Sequence, residues 1–224
     1  MKTILVSGSS SGIGFAICEE SKKQGHNVIG ISRNINSQAI ELGIRSYSVD
    51  VTNQNQINEL VNNLTSENIT IDILINNAGL LIKDKFRDTT DDTFKKVYDV
   101  NVFGLANLTR ALLPIINTDG QVINISSIGG VNTSKKFPGL SAYASSKGAL
   151  ITLTEVLAEE YRSRPRFNCL ALGSVKTKML AEAFPGYEAK ITPDEMAKQI
   201  LDFAFDQNNT RNGEIITLDK GNLE

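Results

Sequence analysis

Residues 3–14 read TILVSGSSSGIG and decide the fold of this 224-residue chain. Residues 3–6 form a short apolar and β-branched run typical of a buried strand, and apolar residues at helical spacing follow over residues 12–24. The glycines between them have the spacing Gly-x-x-x-Gly-x-Gly. Glycine permits positive φ and close approach of the main chain, and the N-terminus of a helix attracts phosphate. The stretch therefore predicts a dinucleotide site, although a purely structural strand-to-helix turn is the alternative. The predicted contacts are Gly8, Ser10, Ser11, Gly12, Ile13 and Gly14.

The rest of the chain repeats the alternation of short apolar runs and helical patterns. Such an alternation indicates a parallel sheet that is covered by helices. Because crossovers are right-handed, we predict a single α/β domain over residues 1–224, a doubly wound Rossmann fold of about seven parallel strands with helices on both faces. The later strands are predicted at 27–32, 45–49, 71–76, 121–126, 167–172 and 214–218. The later helices are predicted at 54–64, 90–117 in two pieces, 142–162 and 194–205, with a helical turn at 37–42.

Composition and charge exclude several classes of protein. The formal net charge is -2, so the chain lacks the basic surface that nucleic acid or an anionic membrane requires. No apolar run approaches the length of a membrane span, and we expect the apolar run of the first strand to be too short for a signal peptide. Cys18 and Cys169 are isolated, and His26 is the only histidine. We therefore predict no metal site and expect a cytoplasmic protein.

Arg33 is the residue that bears on the choice of dinucleotide. An NAD site usually has a carboxylate on the ribose 2′-hydroxyl about 20 residues beyond the glycines, and this chain has none over residues 27–37. Ser32, Arg33 and Asn34 stand there instead, and a guanidinium pairs well with a 2′-phosphate. We predict a preference for NADP(H) over NAD(H). The alternative is that Arg33 is a solvated loop cation.

The ends of the third and fourth strands add further predicted cofactor contacts. Asp50, followed by Val51, could accept from an adenine amino group or could bond local main-chain N–H groups. The fourth strand ends in two asparagines and two small residues, which suit a turn that runs close to a ligand. We expect Asn76 to be architectural. Asn77, Ala78 and Gly79 are predicted to line the cofactor.

Tyr143 and Lys147 stand four residues apart on a predicted helix and therefore share one face. An ammonium close to a phenol favours the phenolate, so we expect Lys147 to lower the pKa of Tyr143 from about 10. Tyr143 would then be a proton donor near neutral pH. Such pairs also occur by chance on ordinary helix faces, so the other motifs must decide.

In this order the motifs resemble those of the short-chain dehydrogenases/reductases, in the compact single-domain branch of that family. The matching elements are the glycine loop, Asn76–Gly79, Asn101, the serine pair Ser126–Ser127, and Tyr143-x-x-x-Lys147. Together they span nearly the whole chain in the family's order. The resemblance implies a single Rossmann domain that binds a nicotinamide dinucleotide.

The resemblance also implies a catalytic tetrad of Asn101, Ser127, Tyr143 and Lys147. Ser127 would stabilise the developing oxyanion, Tyr143 would deliver the proton, and Lys147 would also hold the nicotinamide ribose. Asn101 would bind a water that connects Lys147 to solvent, or it could be a helix-kink residue that bonds only main chain. Ser127 lies sixteen residues before Tyr143, a longer separation than is usual in the family, so Ser126 stays an alternative. The extra residues form a polar loop within residues 128–138 beside the expected substrate mouth.

The C-terminal third departs from the family pattern in two places. Leu172-Gly173 replaces the usual Pro-Gly, and Gly173 is expected to keep the flexible turn beside the cofactor. The resemblance implies that Val175 and Thr177 contact the nicotinamide carboxamide and the phosphates. Residues 179–191 are expected to form a lid over the pocket. Residues 219–224 replace a usual Gly-Gly pair and could pack at a subunit interface.

The predicted function is that of an NADP-dependent oxidoreductase acting on a carbonyl or secondary alcohol. A non-catalytic dinucleotide sensor or scaffold on the same fold is the alternative, although its hallmark would be the loss of Tyr143 or Lys147. The expected partner is a small-molecule substrate, with a carrier-bound 3-oxoacyl chain left open. The family implies a homotetramer or homodimer through the helices near 90–117 and 142–162.

Overall fold

The structure is a computed structural model that describes residues 1–162, 164–206, 208 and 210–219. The strands of this part are β1 (Thr3–Ser7), β2 (Asn27–Ser32), β3 (Arg45–Ser48), β4 (Ile71–Asn76), β5 (Ile116–Ser127), β6 (Arg166–Leu172) and β7 (Ile215–Leu218). The helices are α1 (Gly12–Lys23), α2 (Ser37–Glu41), α3 (Gln54–Ser66), α4 (Asp91–Tyr98), α5 (Leu105–Leu112), α6 (Ser141–Glu160), α7 (Lys178–Ala183) and α8 (Pro193–Phe205). A π-helix over Asp99–Gly104 connects α4 to α5. None of the described helices combines the length and apolar character needed to cross a membrane.

The seven strands form one parallel sheet in the order β3-β2-β1-β4-β5-β6-β7. The chain winds from β1 outward to β3 and then returns to place β4 on the other side of β1. Strand order therefore reverses between β1 and β4, and in open α/β sheets ligands bind at the carboxyl ends of the strands beside this point. The glycine loop after β1 and the Asn-Asn turn after β4 flank that crevice.

Both faces of the sheet are covered, because alternate strand residues point to opposite sides. Ile4 packs in a core with Ile17 of α1 and Met196 of α8. Its neighbour Leu5 packs in a second core with Leu60 of α3 and with side chains of α5 and α6. The predicted fold class, a parallel Rossmann-like sheet with helices on both faces, is confirmed.

The largest differences from the predicted elements lie between α5 and β5 and within the expected lid. Helix α5 ends at Leu112, and β5 begins at Ile116, five residues earlier than predicted. Pro114 lies in the 3-10 turn between them, where its missing N–H and fixed φ stop the helix. Helix α7 was not predicted within the expected lid, and it begins after Thr177, whose hydroxyl accepts from Leu180 N at 3.3 Å. The predicted interface role of the C-terminal tail falls mainly on residues 220–224, which lie outside the described residues.

Candidate active site

A cavity of about 1060 Å³ opens at the carboxyl ends of the strands. It is lined by the segments that follow the first six strands, β1 to β6, with a further wall from the lid. Of the predicted catalytic residues, Ser127, Tyr143 and Lys147 line it and Asn101 does not. The structure also brings to its wall every predicted cofactor residue: Gly8, Ser10, Ser11, Gly12, Ile13, Gly14, Arg33, Asp50, Val51, Asn77, Ala78, Gly79, Tyr143, Lys147, Gly173, Val175 and Thr177.

The glycine loop lies tightly against the turn after β4. Gly8 and Gly12 have φ of +71° and +56°, and a Cβ on Gly14 would lie 2.2 Å from Gly8 O. The Ser7 hydroxyl accepts from Asn77 N and Ala78 N at 3.0 Å each. The Ser11 side chain makes no cap hydrogen bond to the first turn of α1. Main-chain N–H groups of this turn are therefore available to bind an anion. The glycines, which have no side chains, leave room for a pyrophosphate.

Arg33 is exposed at the cavity rim on a turn with a fixed main chain. Ser48 Oγ donates to Arg33 O at 2.9 Å, and Ser32 Oγ donates to Asn34 O at 2.7 Å. Within the described residues, no carboxylate forms an ion pair with Arg33. Asp50 lines the cavity, but its Oδ1 accepts from Thr52 N and Oγ1 at 2.9 and 2.7 Å, which is the local main-chain role considered as its alternative.

The two asparagines at the end of β4 make different contacts. Asn76 is fully buried, and its Nδ2 donates to Thr109 Oγ1 and Asn124 Oδ1 at 2.8 Å each. Asn77 Nδ2 donates to the main-chain oxygens of Ser7 and Gly8 at 3.0 and 3.3 Å. Asn76 therefore ties the sheet to α5, while Asn77 holds the glycine loop beside the cavity.

Tyr143 and Lys147 stand on successive turns at the start of α6. Tyr143 is partly exposed toward the cavity, and its hydroxyl hydrogen-bonds with Ser127. Lys147 is only 3% exposed, its Nζ donates to Ile125 O at 2.9 Å, and this nitrogen lies 5.9 Å from the centre of the Tyr143 ring. The end of β5 therefore contacts both side chains through Ile125 O and the Ser127 hydroxyl.

The prediction that Lys147 lowers the pKa of Tyr143 is wrong for the protein without bound ligand. Burial raises the pKa of Tyr143 to about 12, and the hydrogen bond with Ser127 only partly opposes this. Burial also lowers the pKa of Lys147 to about 8, because the ammonium loses water, and the nearby Cys169 acts in the opposite direction. Loss of hydration therefore dominates both groups, which sequence spacing could not reveal.

The two serines at the end of β5 differ in their contacts. Ser126 is 3% exposed, and its hydroxyl donates to Lys147 O at 2.9 Å. The Ser127 hydroxyl accepts from Gly129 N at 3.2 Å and contacts Tyr143. Ser126 therefore ties α6 to the sheet, whereas Ser127 lies beside the tyrosine.

Asn101 is fully buried in the π-helix. Its Oδ1 accepts from Leu80 N at 2.7 Å, and its Nδ2 donates to Leu80 O at 3.0 Å and to Ser146 Oγ at 2.9 Å. The Ser146 hydroxyl in turn donates to Tyr143 O at 2.7 Å. In the structure Asn101 thus holds the segment after Gly79 against the turn of α6 that carries Tyr143.

The cavity wall also contains residues that the sequence did not assign to the site, among them Leu80, Leu81, Leu140 and Asp219. From the 128–138 loop, which was expected beside the substrate mouth, Ile128 and Phe137 line the cavity. Phe137 lies in the lengthened loop, where Lys136 Nζ turns back to donate to Gly129 O at 2.9 Å. The loop length was the available signal, but it did not show which side chain would line the cavity.

The lid is tied to its surroundings at three points. Val175 and Ile191 form a β-bridge at its base, and Ser174 Oγ and Tyr187 OH hydrogen-bond at 3.0 Å. Lys83 Nζ, from the segment after β4, lies 4.0 Å from the centre of the Phe184 ring. Such a cation–π contact attracts the two segments across the mouth.

Known proteins with similar sequence and structure agree with one another. The family model for short chain dehydrogenases matches residues 2–188. Oxidoreductase UcpA of Salmonella typhimurium is 36% identical over 213 residues, which cover 89% of this chain and 80% of UcpA. ElxO with NADP bound has a TM-score of 0.85 and 28% identity, covering 99% of this chain and 98% of ElxO. 4-Hydroxyisoleucine dehydrogenase complexed with NADH has a TM-score of 0.86 and 28% identity, covering 98% and 97%. These matches confirm the resemblance predicted from the sequence.

Proposed function

We propose, from the premise that this chain belongs to the short-chain dehydrogenase family of oxidoreductases, that it transfers hydride between NADP(H) and a carbonyl or secondary alcohol substrate. The observation that carries the proposal is the contact between Tyr143 and Ser127 in the cavity that begins at the glycine loop. One crevice can therefore hold a dinucleotide by its phosphates and a carbonyl beside a proton donor, which is the proximity this reaction needs.

In the proposed mechanism, a bound nicotinamide supplies the hydride. The Ser127 hydroxyl stabilises the negative charge that develops on the carbonyl oxygen, and Tyr143 donates the proton to that oxygen. Lys147 stands one helical turn from Tyr143 and binds the ribose hydroxyls. For Tyr143 to donate near neutral pH, its pKa must fall from about 12. The ammonium of Lys147 is the nearby charge that would favour the phenolate.

Asn101 takes a positioning role in this proposal. Its side chain bonds Leu80 and Ser146, so it fixes the start of α6 relative to the turn after β4. This differs from the helix-kink alternative of the sequence prediction, which expected bonds to main chain only, because Asn101 also donates to the Ser146 hydroxyl.

The proposed preference for NADP(H) rests on Arg33. Structures of this fold exist with NADP and with NADH, so the choice depends on this chain's own residues. Arg33 is exposed at the cavity rim, and the sequence around it has no carboxylate to repel a 2′-phosphate.

Tyr143→Phe tests the catalytic assignment. The variant should lose NADPH-dependent carbonyl reduction by about 1000-fold, while the affinity for NADPH, measured by fluorescence titration, stays within about twofold. Retained turnover would refute the role of Tyr143. A wild-type protein that binds NADPH but reduces no carbonyl compound would instead support the sensor or scaffold function.

A homodimer or homotetramer through α4, the π-helix, α5 and α6 is also part of the proposal. Phe103 and Val156 are 56% and 48% exposed on these elements, and covering such apolar groups favours association. Sedimentation equilibrium of the wild type should give a dimer or tetramer mass. One domain over residues 1–224 and a cytoplasmic location stay predictions.

A further inference from the structure

The substrate end of the proposed active site is apolar. The apolar side chains that line the cavity include Leu81, Ile128, Phe137, Leu140, Met179 and Phe184. Ile128 directly follows Ser127, and Leu140 is the N-cap residue of α6, just before Tyr143. Phe137 and Met179 are 40% and 39% exposed, although side chains of this kind are usually covered. Apolar groups that line a concave site and remain exposed indicate an apolar ligand.

The cations near this end are not placed to receive a buried anion. Lys83 Nζ lies over the Phe184 ring at 4.0 Å. Lys178 is paired with Glu182 at 3.7 Å and its side chain is 88% exposed, and Lys190 is also exposed on the lid. Lys147 is the buried cation of the cavity within the described residues, and its Nζ bonds Ile125 O. A substrate carboxylate beside Tyr143 would therefore lose its water without gaining a dedicated partner.

The charged side chains that the lid adds to the cavity wall lie at its surface, since Lys178, Glu188 and Lys190 are all exposed. Ser174 Oγ and Tyr187 OH hydrogen-bond to each other at 3.0 Å, so each hydroxyl already has one hydrogen-bond partner within the protein. Ser127 and Tyr143 are reserved for the reacting oxygen in the proposed mechanism. A polyhydroxylated substrate would exchange many hydrogen bonds with water for few with the protein.

We infer that the substrate is an uncharged ketone or aldehyde carrying an aryl or alkyl group, which packs against Phe137 and Phe184 while its oxygen meets Ser127 and Tyr143. This inference rests on the proposed function, and it adds the substrate class to it. The balance of the reaction is simple: the carbonyl carbon gains a hydride from NADPH, and its oxygen gains a proton from Tyr143. The secondary or primary alcohol and NADP⁺ are the products.

The test compares methyl phenylglyoxylate with phenylglyoxylate, using NADPH and the wild-type protein. Both compounds have the same ring and the same ketone. Methyl phenylglyoxylate carries an uncharged ester where phenylglyoxylate carries a carboxylate. We expect kcat/KM to be about 100-fold higher for the ester, because the anion would be buried without a partner. Propiophenone, which carries an ethyl group in place of the ester, should also be a substrate.

Variants of Phe137 locate the effect. Phe137→Ala should raise KM for the ester about tenfold through lost apolar contact, with unchanged affinity for NADPH. Phe137→Lys should narrow the preference for the ester over phenylglyoxylate by about tenfold, because it places a cation at the mouth. Ile40→Ala is the matched control, since Ile40 is 61% exposed and lies outside the cavity wall. This variant should change neither the KM for the ester nor the preference for the ester over phenylglyoxylate.

The outcomes separate the inference from the function beneath it. Phenylglyoxylate reduced as efficiently as its ester would overturn the inference and leave the oxidoreductase intact. Sugar alcohols or aldoses turned over in preference to both aryl ketones would do the same. No reduction of any carbonyl compound by a protein that binds NADPH would refute the proposed function itself and, with it, the inference.

Discussion

Replacing Lys147 by methionine should change how stability depends on pH. Lys147 is 3% exposed, and burial lowers its pKa to about 8 from 10.5. Because the folded pKa is the lower one, the unfolded chain binds more protons between about pH 8 and 10.5. The free energy of unfolding must therefore rise with pH in that window, and the penalty for burying the charge is fully present below it. Methionine has a similar length and no charge, so the variant lacks this contribution.

The size of the effect follows from the two pKa values. One pKa unit corresponds to about 1.4 kcal/mol, so a charged Lys147 costs about 3 kcal/mol at low pH. Between pH 7 and pH 9.5 the unfolded chain is still largely protonated at this lysine, while the folded protein loses its proton. The linkage relation then predicts that the wild type gains about 2 kcal/mol over Lys147→Met across this range.

Urea unfolding at several pH values measures this difference directly. Both proteins contain the buried thiols Cys18 and Cys169, whose pKa values burial raises to about 12, so most of their contribution cancels when the variant is subtracted. Lys135→Met, at an exposed lysine of the 128–138 loop, is the control and should show no pH-dependent difference from the wild type. A flat difference for Lys147→Met between pH 7 and 9.5 would refute the argument that hydration loss governs this lysine.

Three further predictions concern the dinucleotide and the reacting oxygen. Gly14→Ala should weaken NADPH binding more than about tenfold and lower the melting temperature. The added Cβ would lie 2.2 Å from Gly8 O, so the loop must move. Unchanged titration and melting curves would contradict this. Arg33→Ala should raise the Kd for NADPH about 10- to 100-fold through a lost charge-assisted bond, with NADH unaffected, and equal wild-type affinity for the two cofactors would count against it. Ser127→Ala should lower kcat about 100-fold, while Ser126→Ala lowers it less than about tenfold. The reverse order in steady-state rates would assign the reacting serine to Ser126.

Much of this architecture could be predicted because it depends on local sequence. The glycine loop, the alternation of strands and helices, and the four-residue spacing of Tyr143 and Lys147 each need only neighbouring residues. Parallel topology then brings the strand ends together, which is why the predicted cofactor residues all reach one cavity.

The remaining features depend on contacts that are distant in sequence. The pKa of Tyr143 is raised by loss of hydration and lowered by the hydrogen bond with Ser127, which is distant in sequence. Asn101 lies in the π-helix and bonds Leu80 and Ser146, which are 21 and 45 residues away in sequence. Phe137 reaches the cavity only because its loop folds back on Gly129. Such contacts between residues distant in sequence cannot be predicted from the spacing of neighbouring residues.

The strand order also has a consequence for folding during synthesis. Strand β1 is made first but lies between β2 and β4, so one of its edges stays unpaired until Ile71–Asn76 has left the ribosome. A nascent chain that extends one residue further, to Asn77, already contains the glycine loop and its asparagine support, while Ser127, Tyr143 and Lys147 are still to be made. The phosphate cradle can therefore form before the reaction centre, and nucleotide present during translation could stabilise the N-terminal half while its sheet edge is open.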